Sequence, residues 1–363
     1  MSRLRLLLVI SVLVVGGILA GCMQGEQTTN DIDVPENSNS NNQKEASQNN
    51  NVENNDDSEG NEENDEVTET EETVQRELYL LDENNLVVPQ TLELPKSESA
   101  ATQVMEYLVK DGPVTELLPS GFEAVLPADT EILSVNLEEE SSTLVVDVSE
   151  DFKNYDAEQE LQIIQAMTHT LTQFDSVDKV KLWINGEEQN AMPVDNTPLS
   201  EGYSRANGIN LDVTNKPDLQ MNEAATIFYP KEYDDGLQFV PVTKYIQGGK
   251  SENTYSSIVQ ALLEGPSYDI MIKDVFNDGT VLKNNPSVKD GVLELEFSES
   301  ILKEEEPVIA DDTSETLIRT LTELDDVEAV QISVENQKAV SDESGRSYEK
   351  PVTVQDFESK EKM

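Results

Sequence analysis

The sequence of 363 residues contains one cysteine, one histidine and one tryptophan. A lone cysteine, Cys22, admits neither an intrachain disulfide nor a thiolate metal cluster. A lone histidine, His169, leaves general-base chemistry near neutral pH with a single candidate. Basic residues are also scarce: 24 Lys and Arg stand against 74 Asp and Glu, a formal net charge of -50. Nucleic-acid binding depends on Lys and Arg to neutralise phosphate, so no nucleic acid is expected as a partner. No glycine-rich phosphate loop and no Gly-x-Ser-x-Gly elbow follows a strand-like segment. No Asp-x-Asp-x-Asp-Gly loop with a closing Glu is present either. The sequence therefore assigns no catalytic residue, no metal ligands and no cofactor.

Long apolar runs are missing as well. The longest, Leu6 to Leu19, falls short of the roughly 20 residues of a membrane span. It follows Arg3 and Arg5 and ends at Leu19-Ala20-Gly21-Cys22, with the charged start and small-residue end of a secretion signal over residues 1–21. The segment resembles a bacterial lipoprotein signal. That resemblance implies that Cys22 carries a diacylglycerol and is the first mature residue, placing the chain on the outer face of the cytoplasmic membrane. Two acyl chains matter because one gives only reversible attachment, each buried methylene adding about 0.8 kcal/mol.

Residues 22–76 read as an acidic disordered tether. From 23 to 76 there are 16 Asp or Glu against Lys44 and Arg76, with no aromatic residue, so too little apolar surface exists to form a core. As a coil the segment spans about 40 Å. Setting aside its -14 and the signal's +2 leaves -38 on residues 77–363, a surface charge that suits high salt.

What the sequence does contain is a duplication. Leu171 to Glu187, LTQFDSVDKVKLWINGE, aligns without a gap on Leu321 to Gln337, LTELDDVEAVQISVENQ, at an offset of 150 residues. The pattern extends on both sides. Strand-like pieces at Leu78–Leu81 and Thr226–Tyr229 are followed by Leu86–Pro89 and Leu237–Pro241, whose prolines mark edges and predict peripheral strands. Helical stripes follow at Ala101, Val104, Met105, Leu108 and at Tyr255, Ile258, Val259, Leu262. Both helices are predicted to stop at Gly-Pro, Gly112-Pro113 and Gly265-Pro266, with glycine in the left-handed conformation. A hairpin comes next, alternating at Leu144, Val146, Val148 and at Leu293, Leu295, Phe297, with a tight turn at Asp290-Gly291 and an irregular partner strand around Pro286. The second helix carries Ile164, Met167, Leu171, Phe174 in copy one and Ser314, Leu317, Leu321, Leu324 in copy two. The closing strand buries Val180, Leu182, Ile184 and Val330, Ile332, Val334.

The fold class is α+β: two tandem copies of a small βαββαβ module, with two helices on one face of a mostly antiparallel sheet. The first domain covers 77–191 and the second 225–340. Residues 192–224, rich in Pro, Gly, Asn and Ser, read as a linker with room for a short strand, and 341–363 as a polar C-terminal tail.

Site candidates are few. His169 has Arg319 as its counterpart and falls off the apolar stripe, which predicts a solvent-facing residue. Asp147 and Glu296 hold matched outward positions, but no third group is evident to position a catalytic carboxylate pair. Trp183 faces away from the core, where an exposed indole often anchors an interface. Asp147, Lys181, Trp183 and Glu296 are therefore the expected contact residues.

The ordered set of signal, Leu262-Leu263-Glu264-Gly265-Pro266, Asp147-Val148-Ser149, the Thr170-Leu171 to Val180 and Thr320-Leu321 to Val330 runs, and Pro198-Leu199-Ser200-Glu201-Gly202-Tyr203-Ser204-Arg205 resembles the GerM family of sporulation and germination lipoproteins. The two copies resemble its GerMN domain, similar to ring-building motifs. Copy two departs where Glu-Phe-Ser replaces Asp-Val-Ser and where Pro286 falls in the hairpin. The resemblance implies a membrane-anchored, non-enzymatic scaffold of endospore formation and germination. Its partners would be other sporulation-complex proteins with ring-building motifs, in the intermembrane space around the forespore. The alternative is a ligand- or glycan-binding lipoprotein, serving a transporter or contacting peptidoglycan at the cell wall.

Overall fold

In the computed structural model, which describes residues 72–199, 201–212, 222–247, 254–267, 270, 272–303 and 306–358, the first copy opens with a long hairpin. Strand β1 (Thr73–Asp82) pairs antiparallel with β2 (Val87–Pro95). The signal, Cys22 and the tether as far as residue 71 lie outside the described residues. Thr73–Arg76, read as the end of the tether, already pair in β1, Thr73 opposite Pro95.

After α1 (Ala100–Glu106), the two-residue β3 (Phe122–Glu123) adds to β1. Then β4 (Ile132–Glu138) and β5 (Thr143–Val148) form an antiparallel hairpin. Helix α2 (Glu160–Leu171) returns the chain so that β6 (Lys179–Ile184) runs parallel to β5. Parallel neighbours need such a crossover, and a helix supplies it. The short β7 (Glu187–Glu188) and β8 (Tyr203–Ser204) both pair with β6, giving the order β4-β5-β6-β7 with β8 alongside. Period-two alternation turns Leu144, Val146, Val148, Val180, Leu182 and Ile184 inward, all buried.

The second copy repeats this plan. A hairpin of β9 (Asn222–Tyr233) and β10 (Gly236–Gln247) precedes α3 (Thr254–Leu263). The sheet follows with β11 (Ser287–Lys289) and β12 (Val292–Phe297) antiparallel, then β13 (Val308–Ile309), α4 (Asp311–Thr322) and β14 (Ala329–Val334), which runs parallel to β12. Strand β15 (Ser341–Asp342) and the short α5 (Gln355–Glu358) complete it. Asp290 and Gly291 both take positive φ, 51° and 77°, the backbone a two-residue hairpin turn of this hand requires.

Four expectations are corrected. The opening hairpins are not peripheral: Leu78 and Leu80 are fully buried, and β1 as well as β6 contacts α2. Each such side chain contributes about 1.5–3 kcal/mol when withdrawn from water. The α2 helix is consequently enclosed on two faces, and His169 is 3 % exposed instead of solvent-facing. Gly112 is not a left-handed helix end; its φ is -87° and Asp111 takes φ 59° in its place. Helix α1 has already ended at Glu106, and a Cβ on Gly112 would stand 2.9 Å from the Val109 carbonyl oxygen. Gly265, with φ 71° just past α3, does play the expected part.

The fourth correction concerns the linker and tail. In the span read as a linker, Met192, Leu199, Tyr203 and Ile209 are buried, and Tyr203 pairs with Val180 of β6. In the span read as a tail, Tyr348, Val352 and Phe357 are buried, and Val352 bridges Val330 of β14. The two spans therefore cover the same flank of the two sheets. The duplication runs further along the chain than the aligned residues suggest.

Candidate functional site: an outward sheet face and the seam between the copies

Inward polar residues recur from copy to copy. The β1 amide of Tyr79 donates to Thr170 Oγ1 at 2.9 Å, and the β9 amide of Phe228 donates to Thr320 Oγ1 at 3.0 Å. Ser149 Oγ accepts from the Glu131 amide and Ser298 Oγ from the Val281 amide, each at 3.0 Å. These side chains satisfy backbone amides that are buried at Tyr79 and partly buried at the other three; a fully buried amide left unmet costs about 1–3 kcal/mol.

Among the outward residues singled out, only the carboxylate recurs, as Asp147 and Glu296. Asp147 and Trp183 sit directly opposite each other on β5 and β6, with Lys181 two residues before Trp183 on the same face. Three of the four expected contact residues are thus brought together. Lys181 Nζ lies 3.3 Å from Glu138 Oε2, and Asp147 Oδ1 accepts the Gly186 amide at 3.0 Å. Trp183 is partly buried, and its indole N–H is enclosed without a hydrogen-bond partner among the described residues. Glu296 occupies the matching place on the other sheet, opposite Ser333. In copy two the face-mates of Lys179, Lys181 and Trp183 are Ala329, Gln331 and Ser333, so neither cation nor ring is repeated. Asp147 and Glu296 stand on different sheets.

His169 packs on the Tyr79 ring at 5.2 Å between centroids, and neither ring nitrogen has a partner among the described residues. Burial, reinforced by the Arg205 guanidinium, holds its pKa down to about 3. It stays neutral and out of reach of solvent. At its counterpart, Arg319 lies over the Phe239 ring of β10 and pairs with Glu315 at 2.7 Å. Among the described residues no group of three His, Cys, Asp or Glu is placed to hold a metal ion, and no helix is long and apolar enough to cross a membrane.

Near the start of α2, Glu160 accepts the Val194, Asp195 and Thr197 amides at 2.9, 2.6 and 2.9 Å and the Tyr155 hydroxyl at 2.8 Å. Burial pushes its carboxyl up, but these donors outweigh it and hold the pKa below the ordinary range. In copy two Asp311, in the first turn of α4, accepts the Ser344 amide at 3.0 Å. Each latch fastens the span after the closing strand to the start of a helix.

The residues the sequence did not single out form the seam between the copies. Asp82, whose side chain is 0 % exposed, pairs with Lys231 and accepts the Tyr233 hydroxyl at 2.8 Å. Its other oxygen takes the Asn84 and Leu86 amides, each at 2.8 Å. Lys231 also reaches Asn84 Oδ1 at 2.6 Å, and the Tyr233 ring packs on Phe122 at 4.8 Å. Asn210, at φ 47°, donates through Nδ2 to the carbonyls of Val87 and Pro241, both at 2.8 Å, while its Oδ1 accepts the Val87 amide at 2.9 Å. Arg205 spans from Thr172 Oγ1 at 2.8 Å to Glu323 at 3.5 Å. A signal for the burial around α2 was present: Leu161 to Phe174 contains no charged residue in a chain that is 27 % charged.

A model of the Germane family, described as sporulation and spore germination, matches residues 77–190 and 226–340. The spore germination protein GerM of Bacillus subtilis (strain 168) is 39 % identical over 342 residues, covering 93 % of this chain and 92 % of that protein. The solved tandem GerMN domains of the sporulation protein GerM from Bacillus subtilis superpose with a TM-score of 0.71 at 42 % identity, covering 78 % of this chain and 97 % of theirs. A duplicated α+β module, matched twice by one family and once by a tandem solved structure, leaves one assignment: this chain belongs to the Germane family and has a role in sporulation.

Proposed function

We propose that the protein is a lipid-anchored, non-catalytic scaffold of endospore formation and germination. On this reading Cys22 carries the lipid, and the acidic segment that follows holds the two copies off the outer face of the cytoplasmic membrane. In sporulating cells that places them in the space between the membranes around the forespore. The partners are other sporulation proteins with ring-building motifs. Domain limits of 77–191 and 225–340 enter this reading as the two binding modules, with 192–224 between them.

The observation that carries the proposal is the division of labour between faces. Polar residues repeated in both copies point inward and complete the fold, while the outward face of β4-β5-β6 carries Lys181 and Trp183, neither of them repeated, beside Asp147. An aromatic ring beside a cation and a carboxylate on a rigid sheet is an interface anchor in type. Glu296 offers a weaker counterpart on the second sheet. The test has two parts. Cys22→Ala should abolish incorporation of labelled fatty acid and release the protein from membranes. A photo-reactive analogue at Trp183 should crosslink to sporulation proteins in sporulating cells. Recovery of transporter subunits alone, or of peptidoglycan fragments alone, would reverse the ranking in favour of a ligand- or glycan-binding lipoprotein. Muropeptide release by the purified protein would make it an enzyme.

A further inference from the structure

The two sheets end differently on the side away from the closing strand. In copy one the last strand is β4, which runs seven residues from Ile132 to Glu138, about 24 Å of strand. In copy two the last strand is β11, three residues long. Before it, Leu282 bridges Phe297 and the Lys283 amide donates to the Glu296 carbonyl at 2.7 Å, but the ladder then breaks at Asn284, whose side chain donates to the Glu294 carbonyl at 2.8 Å and accepts the Glu296 amide at 3.0 Å.

The residue types differ in the same sense. Proteins protect open sheet edges with lysine, proline, bulges and short strands, because a row of unpaired N–H and C=O groups is a template for another strand. Copy two has Lys283, Pro286 and Lys289 across this stretch. Copy one reads ILSVNLE from 132 to 138, with neither lysine nor proline. Its one irregularity is a register shift between Ile132 and Ser134, which leaves Leu133 45 % exposed.

We infer that the free edge of β4 is a docking site for an extended segment of a basic partner protein, added as a further strand to the first sheet. Such strand addition takes its affinity from main-chain hydrogen bonds and its selectivity from side chains at alternate positions. Leu133 gives the incoming strand an apolar contact at one end. The exposed Glu131, Glu138, Glu139 and Glu140 flank it, and Lys181 neutralises only Glu138. A second copy of this chain is a poor occupant, because the -38 on residues 77–363 repels another of itself. The inference rests on the scaffold reading and adds where on the molecule, and by what geometry, one partner is held.

The test places a photo-reactive side chain at Leu133, at Ser287 or at Trp183 of the full-length lipoprotein in sporulating cells. Adducts are expected at Leu133 and not at Ser287, and the attached segment should carry net positive charge. That segment, made as a peptide, should slow amide exchange across residues 132–138 of the purified protein at least ten-fold. The same peptide with a central proline should not. Adducts at Trp183 without any at Leu133 would overturn the edge and leave the scaffold standing, whereas no adduct at any position would remove both. Equal protection by the peptide and its proline form would reduce the effect to charge attraction and overturn the proposal. So would an acidic captured segment, or adducts at Ser287 as abundant as those at Leu133.

Discussion

Copy one ends its sheet in a seven-residue strand with one register shift, and copy two ends the same sheet in a broken edge, where the Leu282 bridge and three-residue β11 are parted at Asn284 to Pro286 and flanked by two lysines. Their interiors agree to the level of single hydroxyls, Thr170 with Thr320 and Ser149 with Ser298. Sequence change between the copies reaches the interior too, at Ile164 against Ser314 and His169 against Arg319, but it spares these hydroxyls. The repeated hydroxyls hold the same backbone amides in both copies, while the outward strand face keeps neither Lys181 nor Trp183 in copy two.

The comparison breaks most severely at the seam. Asp82→Ala leaves the Lys231 ammonium without its carboxylate, with Asn84 Oδ1 still in reach, and takes the acceptor from the Tyr233 hydroxyl; stranding one partner of a buried ion pair costs about 3 kcal/mol or more. Urea melts should show that loss, together with separate transitions for the two copies; a change below about 1 kcal/mol would show that the seam does not couple them. Asp82→Leu combined with Lys231→Met should restore part of the loss.

The next largest effect separates His169 from Arg319. The folded pKa of His169, about 3, lies below its ordinary 6.5, so below pH 6.5 the unfolded chain takes a proton that the folded chain refuses. Its contribution is complete above pH 6.5 and falls by about 1.4 kcal/mol per pH unit towards pH 3. Denaturation at pH 7 and pH 5 should differ by about 2 kcal/mol more in the parent than in His169→Leu; parallel pH profiles would refute a buried neutral imidazole.

A smaller and symmetrical effect sharpens the agreement between interiors. Thr170→Val and Thr320→Val each strand one strand amide, Tyr79 or Phe228, and each should cost about 1–2 kcal/mol. Unequal losses would mean that the repeated hydroxyls carry different loads. The smallest effect belongs to the outward face. Lys181→Gln removes an ion pair with Glu138 whose side chains are 28 % and 47 % exposed, and stability should change by about 0–0.5 kcal/mol. A larger change would give that lysine a structural duty instead of a surface one.

Much of this architecture was legible in the residues. Alternation at Leu144, Val146 and Val148 and at Val180, Leu182 and Ile184, and the break at Pro286, follow from local periodicity and backbone chemistry, whereas the parallel pairing of β5 with β6 is set by the α2 crossover and not by either strand's own pattern. The hairpins were misjudged because Pro89 and Pro241 do lie on edge strands, β2 and β10, yet an edge strand can still be buried by a helix laid across it. Local pattern sees one stripe on α2; the second covered face, with His169 on it, exists only once Tyr79 arrives from 90 residues upstream. The seam was illegible for a similar reason. Asp82, Asn210, Lys231 and Tyr233 are unremarkable in their own neighbourhoods and gain meaning only from one another.

The spans that follow each closing strand have a practical consequence for dissecting the molecule. A fragment cut at residue 191 would lose Tyr203 from the side of Val180, and one cut at residue 340 would lose Val352 from the side of Val330. Either would gain a sticky flank of uncovered valine and unmet amides, inviting aggregation. Excision of the first half should therefore end beyond Asp212, and any half-molecule shorter than that would report on its own damage before it reported on binding.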